Sequence, residues 1–273
     1  MIRCGITGHT GVLGKNIIDF FNFNFIKFNG DIRSSEDVDD WIKNNKFDII
    51  IHLAAIVPVK TVESDYKNAL EVNYNGTKNL VRSINKNNIK LKWFFFSSTS
   101  HVYKIKKKPI LIDEKSKKSP YSAYGKTKLY AENYINKYLN KKYRRCIGRI
   151  FSFTDKRQNK NYFIPSIKLK IKKNKIYFFN TNHYRDFIDI NDICFAIKRL
   201  LLLKANGTYN IGTGIGTNLN DIIINMCQRL GRVPIFRKGE IKNSYLIANI
   251  EKIKDLGWTP VNNINDIINK YLS

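Results

Sequence analysis

The segment Thr7-Gly8-His9-Thr10-Gly11-Val12-Leu13-Gly14 limits what this chain can fold into more than any other. It follows the apolar run Ile2 to Thr7 and opens Val12 to Phe21, where apolar residues recur at helical spacing. Glycines spaced this way between a strand and a helix let the backbone approach a pyrophosphate closely. The first N–H groups of the helix have no partners of their own and meet the phosphate with the positive end of the dipole. Glycine is also the ordinary solution to a tight turn. At the first β-to-α junction of an alternating chain, however, a dinucleotide is the ligand to expect.

The alternation runs through the first half. Ile2 to Thr7, Phe25 to Phe28, Phe47 to Leu53, Leu91 to Ser97 and Arg145 to Ile150 read as strands, most of them buried. Val12 to Phe21, Glu36 to Asn44, Asp65 to Asn87 and Ser122 to Leu139 read as helices. The second half is less regular, with helices at Ile164 to Ile171, Asp192 to Leu203 and Leu219 to Leu230, and strands at Ile176 to Phe179 and Thr208 to Ile211. The pattern predicts an α/β protein: a doubly wound parallel sheet with a small mixed α/β lobe at the C-terminus. The expected division is 1–152 for the dinucleotide-binding domain, with a segment returning to it near 184–206. Residues 153–183 and 207–273 would form the substrate lobe. No repeat or Pro/Ser-rich linker separates the two parts.

Composition narrows the function classes. Of 273 residues, 48 are Lys or Arg and 22 are Asp or Glu, a formal net charge of +26. Nucleic-acid binding would need these charges gathered on one element or face. Instead the dense runs Lys104 to Lys108, Lys115 to Lys118, Lys141 to Arg145 and Lys168 to Lys175 are dispersed, in a chain also rich in Asn and Ile. An AT-rich genome produces that bias unaided, so a solvated surface is expected and a nucleic-acid partner is not. Cys4, Cys146, Cys194 and Cys227 have no paired spacing, which predicts neither a disulfide framework nor a metal site. No apolar stretch approaches the roughly 20 residues of a membrane span, and the N-terminus runs straight into a strand. A cytoplasmic protein without membrane attachment is expected.

The adenosine end of the expected dinucleotide site is compressed. Phe25 to Phe28 leads at once into Asn29-Gly30-Asp31-Ile32-Arg33, with no separate acidic strand end to hold ribose hydroxyls. Asp31 would face the adenine, and Arg33 or Lys27 would meet a phosphate, which leaves NAD and NADP both open. Further on, Tyr124-Gly125-Lys126-Thr127-Lys128 puts Tyr124 and Lys128 on one helical face. An ammonium beside a phenol favours phenolate and would bring its proton exchange towards neutrality.

Together these motifs resemble the extended short-chain dehydrogenase/reductase family, the NAD(P)-dependent epimerases, dehydratases and reductases of nucleotide sugars. The landmarks occur in the family's order: the glycine loop, Gly30-Asp31-Ile32, His52-Leu53-Ala54-Ala55, Asn73-Tyr74-Asn75-Gly76-Thr77-Lys78-Asn79-Leu80, Ser97-Ser98-Thr99-Ser100-His101-Val102-Tyr103 and Tyr124/Lys128. Arg149-Ile150-Phe151-Ser152, Arg185-Asp186-Phe187-Ile188, Tyr209-Asn210-Ile211-Gly212 and Leu256-Gly257-Trp258-Thr259-Pro260 follow. The resemblance implies a Rossmann-like core, NAD or NADP as cofactor, and a nucleotide-sugar substrate. It makes Tyr124 the acid/base, Lys128 the ligand of the nicotinamide ribose, and Thr99 the hydrogen-bond partner of the reacting oxygen. Gly8, Thr10, Gly11, Val12, Leu13 and Gly14 would seat the pyrophosphate, Asp31 and Ile32 the adenine, and Leu53, Ala54 and Ala55 the cofactor's centre. Thr99, Ser100, Ser152 and Arg185 would face the substrate, Arg185 at its diphosphate. Asn73 would support the fold. A homodimer through the helices around 65–87 and 122–139 is also implied.

Departures from the family pattern matter as much. Dehydratases carry Asp-Glu where this chain has Ser100-His101, which disfavours loss of water from the sugar. Lys104 replaces a glycine, and Ser152 to Gln158 departs from the family's substrate loop. The expected reaction is reduction of a 4-keto sugar nucleotide or 4-epimerisation. The alternatives are a non-catalytic dinucleotide binder with a polyanion-binding surface and a reductase of a non-sugar carbonyl. Arg185 in an ion pair with Asp186 is the purely structural alternative for that arginine.

Overall fold

The computed structural model describes residues 1–57, 59–179, 181–237 and 243–273. The first half alternates as expected: β1 (Arg3–Thr7), α1 (Val12–Phe20), β2 (Asn24–Lys27), α2 (Ser35–Lys43), β3 (Ile49–His52), α3 (Val59–Ser64) and α4 (Tyr66–Leu70). A π-helical turn at Glu71–Asn75 joins α4 to α5 (Gly76–Lys86), so the helix expected over 65–87 carries a bulge at its middle. Then come β4 (Trp93–Thr99), a 3₁₀ turn at Ser100–Val102, α6 (Ala123–Tyr138) and β5 (Arg144–Ile150).

The second half holds more short strands than its sequence suggests. It runs β6 (Ser152–Thr154), α7 (Phe163–Lys172), β7 (Tyr177–Phe179), β8 (Tyr184–Arg185), β9 (Phe187–Asp189), α8 (Ile190–Leu202), β10 (Gly207–Ile211) and β11 (Thr217–Asn218). It ends with α9 (Leu219–Arg229), β12 (Ile235–Arg237), β13 (Tyr245–Leu246), α10 (Glu251–Lys254) and α11 (Ile264–Leu272).

Six strands form one parallel sheet in the order β10-β5-β4-β3-β1-β2. The chain turns outward to β2 after β1 and crosses to β3 on the other side, so the strand order reverses between β1 and β3. In sheets wound this way, ligands bind beyond the carboxyl ends of the strands at that reversal, which is where the glycine loop lies. One boundary changes. Gly207–Ile211, expected in the substrate lobe, pairs with β5 as the outer strand of the main sheet.

Burial explains the regularity. Trp93, Phe94, Phe95 and Phe96 on β4 are all fully buried, and successive side chains point to opposite faces. Trp93 and Phe95 pack with Ile17 and Ile197 of α1 and α8, while Phe94 and Phe96 pack with Val38, Leu80 and Ile135 of α2, α5 and α6. Each contributes roughly 1.5–3 kcal/mol from removal of apolar surface from water. A third core lies in the C-terminal lobe, where Ile167, Ile223 and Ile268 bring α7, α9 and α11 together.

Candidate active site

The glycine loop is shaped for an anion. A Cβ on Gly14 would run into the carbonyl oxygen of Gly8, so the tight entry to α1 depends on hydrogen there. Gly11 caps the helix without a side-chain hydrogen bond, and the first turn holds no acidic residue. The leading N–H groups of α1 thus keep their positive end open towards the cleft, which fits a dinucleotide pyrophosphate.

A cleft of ≈ 1010 Å³ runs from Gly8, Thr10, Gly11, Val12, Leu13 and Gly14 past Leu53 and Ala55 to Thr99, Tyr124 and Lys128, and on to Ser152 and Arg185. A second cavity of ≈ 530 Å³ shares Gly8 and Thr10 with it and continues to Asp31, Ile32 and Ala54. Ser100 is the exception among the expected site residues. It is 1% exposed and lines neither cavity, because the chain enters the 3₁₀ turn there and the alternation of β4 ends. His101 faces the cleft in its place.

Thr99, Tyr124 and Lys128 are positioned by local chemistry. Thr99 ends β4 in extended conformation and its hydroxyl accepts from His101 N–H at 3.3 Å. Ser122 caps α6 by accepting from Gly125 N–H at 3.1 Å. A Cβ on Gly125 would strike the His101 carbonyl, so this glycine lets α6 lie against the 3₁₀ turn and brings Tyr124 to Thr99. Burial pushes the Tyr124 phenol well above its ordinary value; Tyr162 acts the same way, and the Thr99 hydrogen bond opposes both. This reverses the expectation of a phenol brought down by its lysine. Lys128 is itself buried, which takes its ammonium down to about 7 against the pull of Glu132. It lies 4.2 Å from the centre of the Phe96 ring.

A buried relay joins the glycine loop to this helix. Leu53 and Ala54 N–H donate to Thr7 Oγ1 at 3.3 and 3.2 Å, and Thr7 Oγ1 is 2.6 Å from His52 Nδ1. His52 Nε2 is 2.9 Å from Thr77 Oγ1, whose hydroxyl donates to the Asn73 carbonyl at 2.7 Å. With the Thr77 proton committed, His52 must carry its own on Nε2 and accept from Thr7 on Nδ1. Burial takes its pKa down to about 3, and Lys128 adds to the effect. Asn73, in the π turn, accepts from Ile56 N–H at 2.7 Å and donates to Thr127 Oγ1 at 3.0 Å; Thr127 then donates to the Tyr124 carbonyl at 2.8 Å. Asn73 therefore supports the fold, and the π turn lets its side chain reach both neighbours.

Under the cleft floor, Arg149 and Glu132 form an ion pair at 2.6 Å with both side chains almost fully buried. Ser98 donates to the same carboxylate, and Arg149 also donates to Tyr103 Oη at 2.9 Å. Glu132 gave no signal in the sequence.

Arg185 has no carboxylate partner among the described residues. Its guanidinium donates to the Tyr184 and Ser244 carbonyls at 2.8 and 3.0 Å and to Ser244 Oγ at 3.0 Å. Asp186 points elsewhere and accepts from Thr213, Gly214 and Ala248 N–H, which removes the ion-pair alternative. Burial lowers the Arg185 pKa, and Tyr121 opposes the shift. Tyr121, Phe153, Gln158, Tyr162 and Phe163 line the cleft as well. The substrate-loop position of Gln158 and Phe153 was legible, whereas Tyr121 and Tyr162 reach the site only through tertiary packing.

Residues 13–271 match the family model described as GDP-mannose 4,6 dehydratase. The chain belongs to that family. Its place among the extended short-chain dehydrogenases/reductases agrees with the spaced motifs above. The chain is 31% identical to the GDP-6-deoxy-D-talose 4-dehydrogenase of Aggregatibacter actinomycetemcomitans, over 97% of this chain and 91% of that protein. The fold of the UDP-glucose 4-epimerase of Thermus thermophilus, solved in complex with NAD, superposes with a TM-score of 0.86 at 19% identity, covering 100% of this chain and 99% of that one. RMD from Pseudomonas aeruginosa, solved with NADPH, gives a TM-score of 0.83 at 21% identity, covering 100% and 98%. No helix among the described residues is long and apolar enough to cross a membrane.

Proposed function

We propose that the protein is a nicotinamide-dependent oxidoreductase of a nucleotide sugar, interconverting a 4-keto and a 4-hydroxyl group. One observation carries this reading: Thr99, Tyr124 and Lys128 line a single cleft that has the glycine loop at one end and Arg185 at the other. A dinucleotide on the loop and a diphosphate on Arg185 would meet over Tyr124. A bound nicotinamide supplies hydride exchange with the sugar carbon. Tyr124 gives its proton to the oxygen that becomes a hydroxyl, and its raised pKa keeps that proton in place at neutrality. Thr99 holds the same oxygen, while Lys128 binds the ribose hydroxyls of the dinucleotide. Leu53, Ala54 and Ala55 set the cofactor's depth, and Ser152 borders the sugar.

The 31% identical relative is named as a 4-dehydrogenase, which supports net redox chemistry at C4 with an exchanging cofactor. Redox-neutral 4-epimerisation is the second reading, supported by the fold shared with UDP-glucose 4-epimerase. Loss of water is disfavoured, since Ser100 is turned away from the cleft and His101 replaces the second carboxylate of the family pattern. The test is a panel of 4-keto and 4-hydroxy sugar nucleotides. Reduced nicotinamide consumed only with a keto sugar supports the reductase. Interconversion of 4-epimers with no net redox change supports the epimerase. Inertness towards the whole panel overturns both.

We infer a homodimer through α4–α5 and α6. Tyr66, Tyr130 and Tyr138 are exposed there, and Tyr74 meets Tyr130 and Tyr134 edge-on at 5.8 and 6.1 Å between ring centres. Light scattering would give twice the 31.9 kDa chain mass, and Tyr130→Glu with Tyr138→Lys would return it to one.

A further inference from the structure

We infer that the loop between Tyr103 and Ser119 docks the protein on an anionic phospholipid surface, with its lysines at the headgroups and Ile110 and Leu111 set below them. The loop follows the 3₁₀ turn after β4 and returns ahead of α6. Its base is fixed: Tyr103 and Lys118 form an antiparallel bridge, and Lys104 N–H donates to the Lys117 carbonyl at 3.0 Å. Further out, Lys106 and Tyr245 exchange backbone bonds at 3.1 and 2.9 Å, and Asn249 N–H donates to the Ile112 carbonyl at 2.8 Å. Between those anchors Lys107, Lys108, Pro109, Ile110 and Leu111 are all exposed.

The backbone bridge brings two of the dispersed basic runs together. Lys104 and Lys106 to Lys108 lie on the outgoing arm, and Lys115, Lys117 and Lys118 on the returning one, seven lysines on a single loop. Among the described residues none of them pairs with a carboxylate. The acids of the loop offset little of this charge. Glu114 turns inward to accept from Asn210 N–H at 2.8 Å, which leaves Asp113, itself an acceptor for Ser116 Oγ at 2.8 Å. The AT-rich bias that accounts for lysine elsewhere brings asparagine with it, yet Lys104 to Lys118 contains no Asn.

The tip is apolar. Ile110 and Leu111 are 53% and 47% exposed, beside an Ile112 that is fully buried. An apolar pair flanked by unpaired lysines suits a lipid leaflet: its negative surface potential draws the ammonium groups, and the aliphatic side chains leave water beneath the headgroups. Pro109 has no N–H that would need a partner there. Single-stranded RNA would call instead for aromatic rings to stack its bases and guanidinium forks for its phosphates. Lys104 to Lys118 holds no aromatic residue and no arginine. Membrane attachment was not expected of a chain without an apolar span, but a surface contact needs none.

The experiment is flotation of the purified full chain with vesicles of phosphatidylcholine alone and of phosphatidylcholine with an equal part of phosphatidylglycerol. Binding to the anionic vesicles only, weakening as salt is raised, is expected. Lys107→Gln with Lys108→Gln should weaken it roughly tenfold or more. Ile110→Ser with Leu111→Ser, which leaves the charge unchanged, should weaken it about tenfold. Both variants should keep the wild-type melting profile. Lys172→Gln with Lys173→Gln removes as much charge from exposed positions at the end of α7 and should change binding little. Absence of binding to the anionic vesicles overturns the inference, as does binding that the loop and α7 variants weaken alike. Vesicle binding indifferent to Ile110→Ser with Leu111→Ser also overturns it and leaves only a general affinity for polyanions.

Discussion

Thr7 Oγ1 and His52 Nδ1 lie 2.6 Å apart at fully buried positions, and this bond starts the chain of contacts that ends on the Tyr124 carbonyl. His52→Leu would leave the Thr7 hydroxyl proton without an acceptor, while Thr77 keeps its bond to the Asn73 carbonyl. An orphaned buried group costs about 1–3 kcal/mol, so urea unfolding should give a loss of that size, accompanied by weaker dinucleotide binding.

The same histidine sets an acid limit. Its folded pKa, about 3, lies below the ordinary 6.5, and His101 is lowered to about 4. Below 6.5 the unfolded chain therefore binds protons that the folded chain refuses. Stability is full above that pH and falls as pH drops towards 4, by up to about 1.4 kcal/mol per unit for each histidine. Urea midpoints between pH 7 and 5 would record the fall, and a flat profile would exclude it.

Lys128 acts in the opposite window. Its folded pKa of about 7 lies below the ordinary 10.5, so between those values the unfolded chain holds a proton that the folded chain lacks. The lysine's desolvation cost fades as pH rises from 7 to 10. Thermal melts across that range should show Lys128→Met losing the pH-dependent gain of the wild type.

Tyr124→Phe removes the proton donor and keeps the ring, so the fold should survive. Turnover is expected to fall by about 10²–10⁴, with sugar-nucleotide affinity little changed. Single-turnover kinetics with reduced cofactor would separate the two effects, and unchanged turnover would defeat the mechanism.

Glu132→Ala strands the Arg149 guanidinium, whose side chain is 3% exposed. Removing one partner of a buried pair costs about 3–5 kcal/mol. Denaturant titration should find a loss of that size, while Glu132→Gln, which keeps an acceptor for Ser98 and Arg149, should lose less.

The sheet was legible because strands buried on both faces are written as unbroken apolar runs, Ile49 to Ile51 and Trp93 to Phe96 among them. The glycine loop and Tyr124/Lys128 were legible because their geometry is local. Two-residue strands such as β8, β11 and β13 were not, since pairs like Tyr184 with Tyr245 are made across long stretches of chain. Arg185 and Asp186 illustrate the gap: adjacency suggests an ion pair, but neighbours at a strand end point to opposite sides. The Tyr124 phenol illustrates another. Helical spacing sets its neighbour, whereas burial, a property of the whole fold, sets its proton affinity.

Because Thr7 and Tyr124 are ends of one hydrogen-bonded chain, the distance between phosphate cradle and proton donor works as a fixed calliper. On the function proposed above, a different sugar would be met by the C-terminal lobe, where Tyr162 and Phe163 line the cleft and α7, α9 and α11 hold a core of their own. Specificity can therefore be exchanged without retuning the chemistry, as a tool changes its bit and keeps its motor.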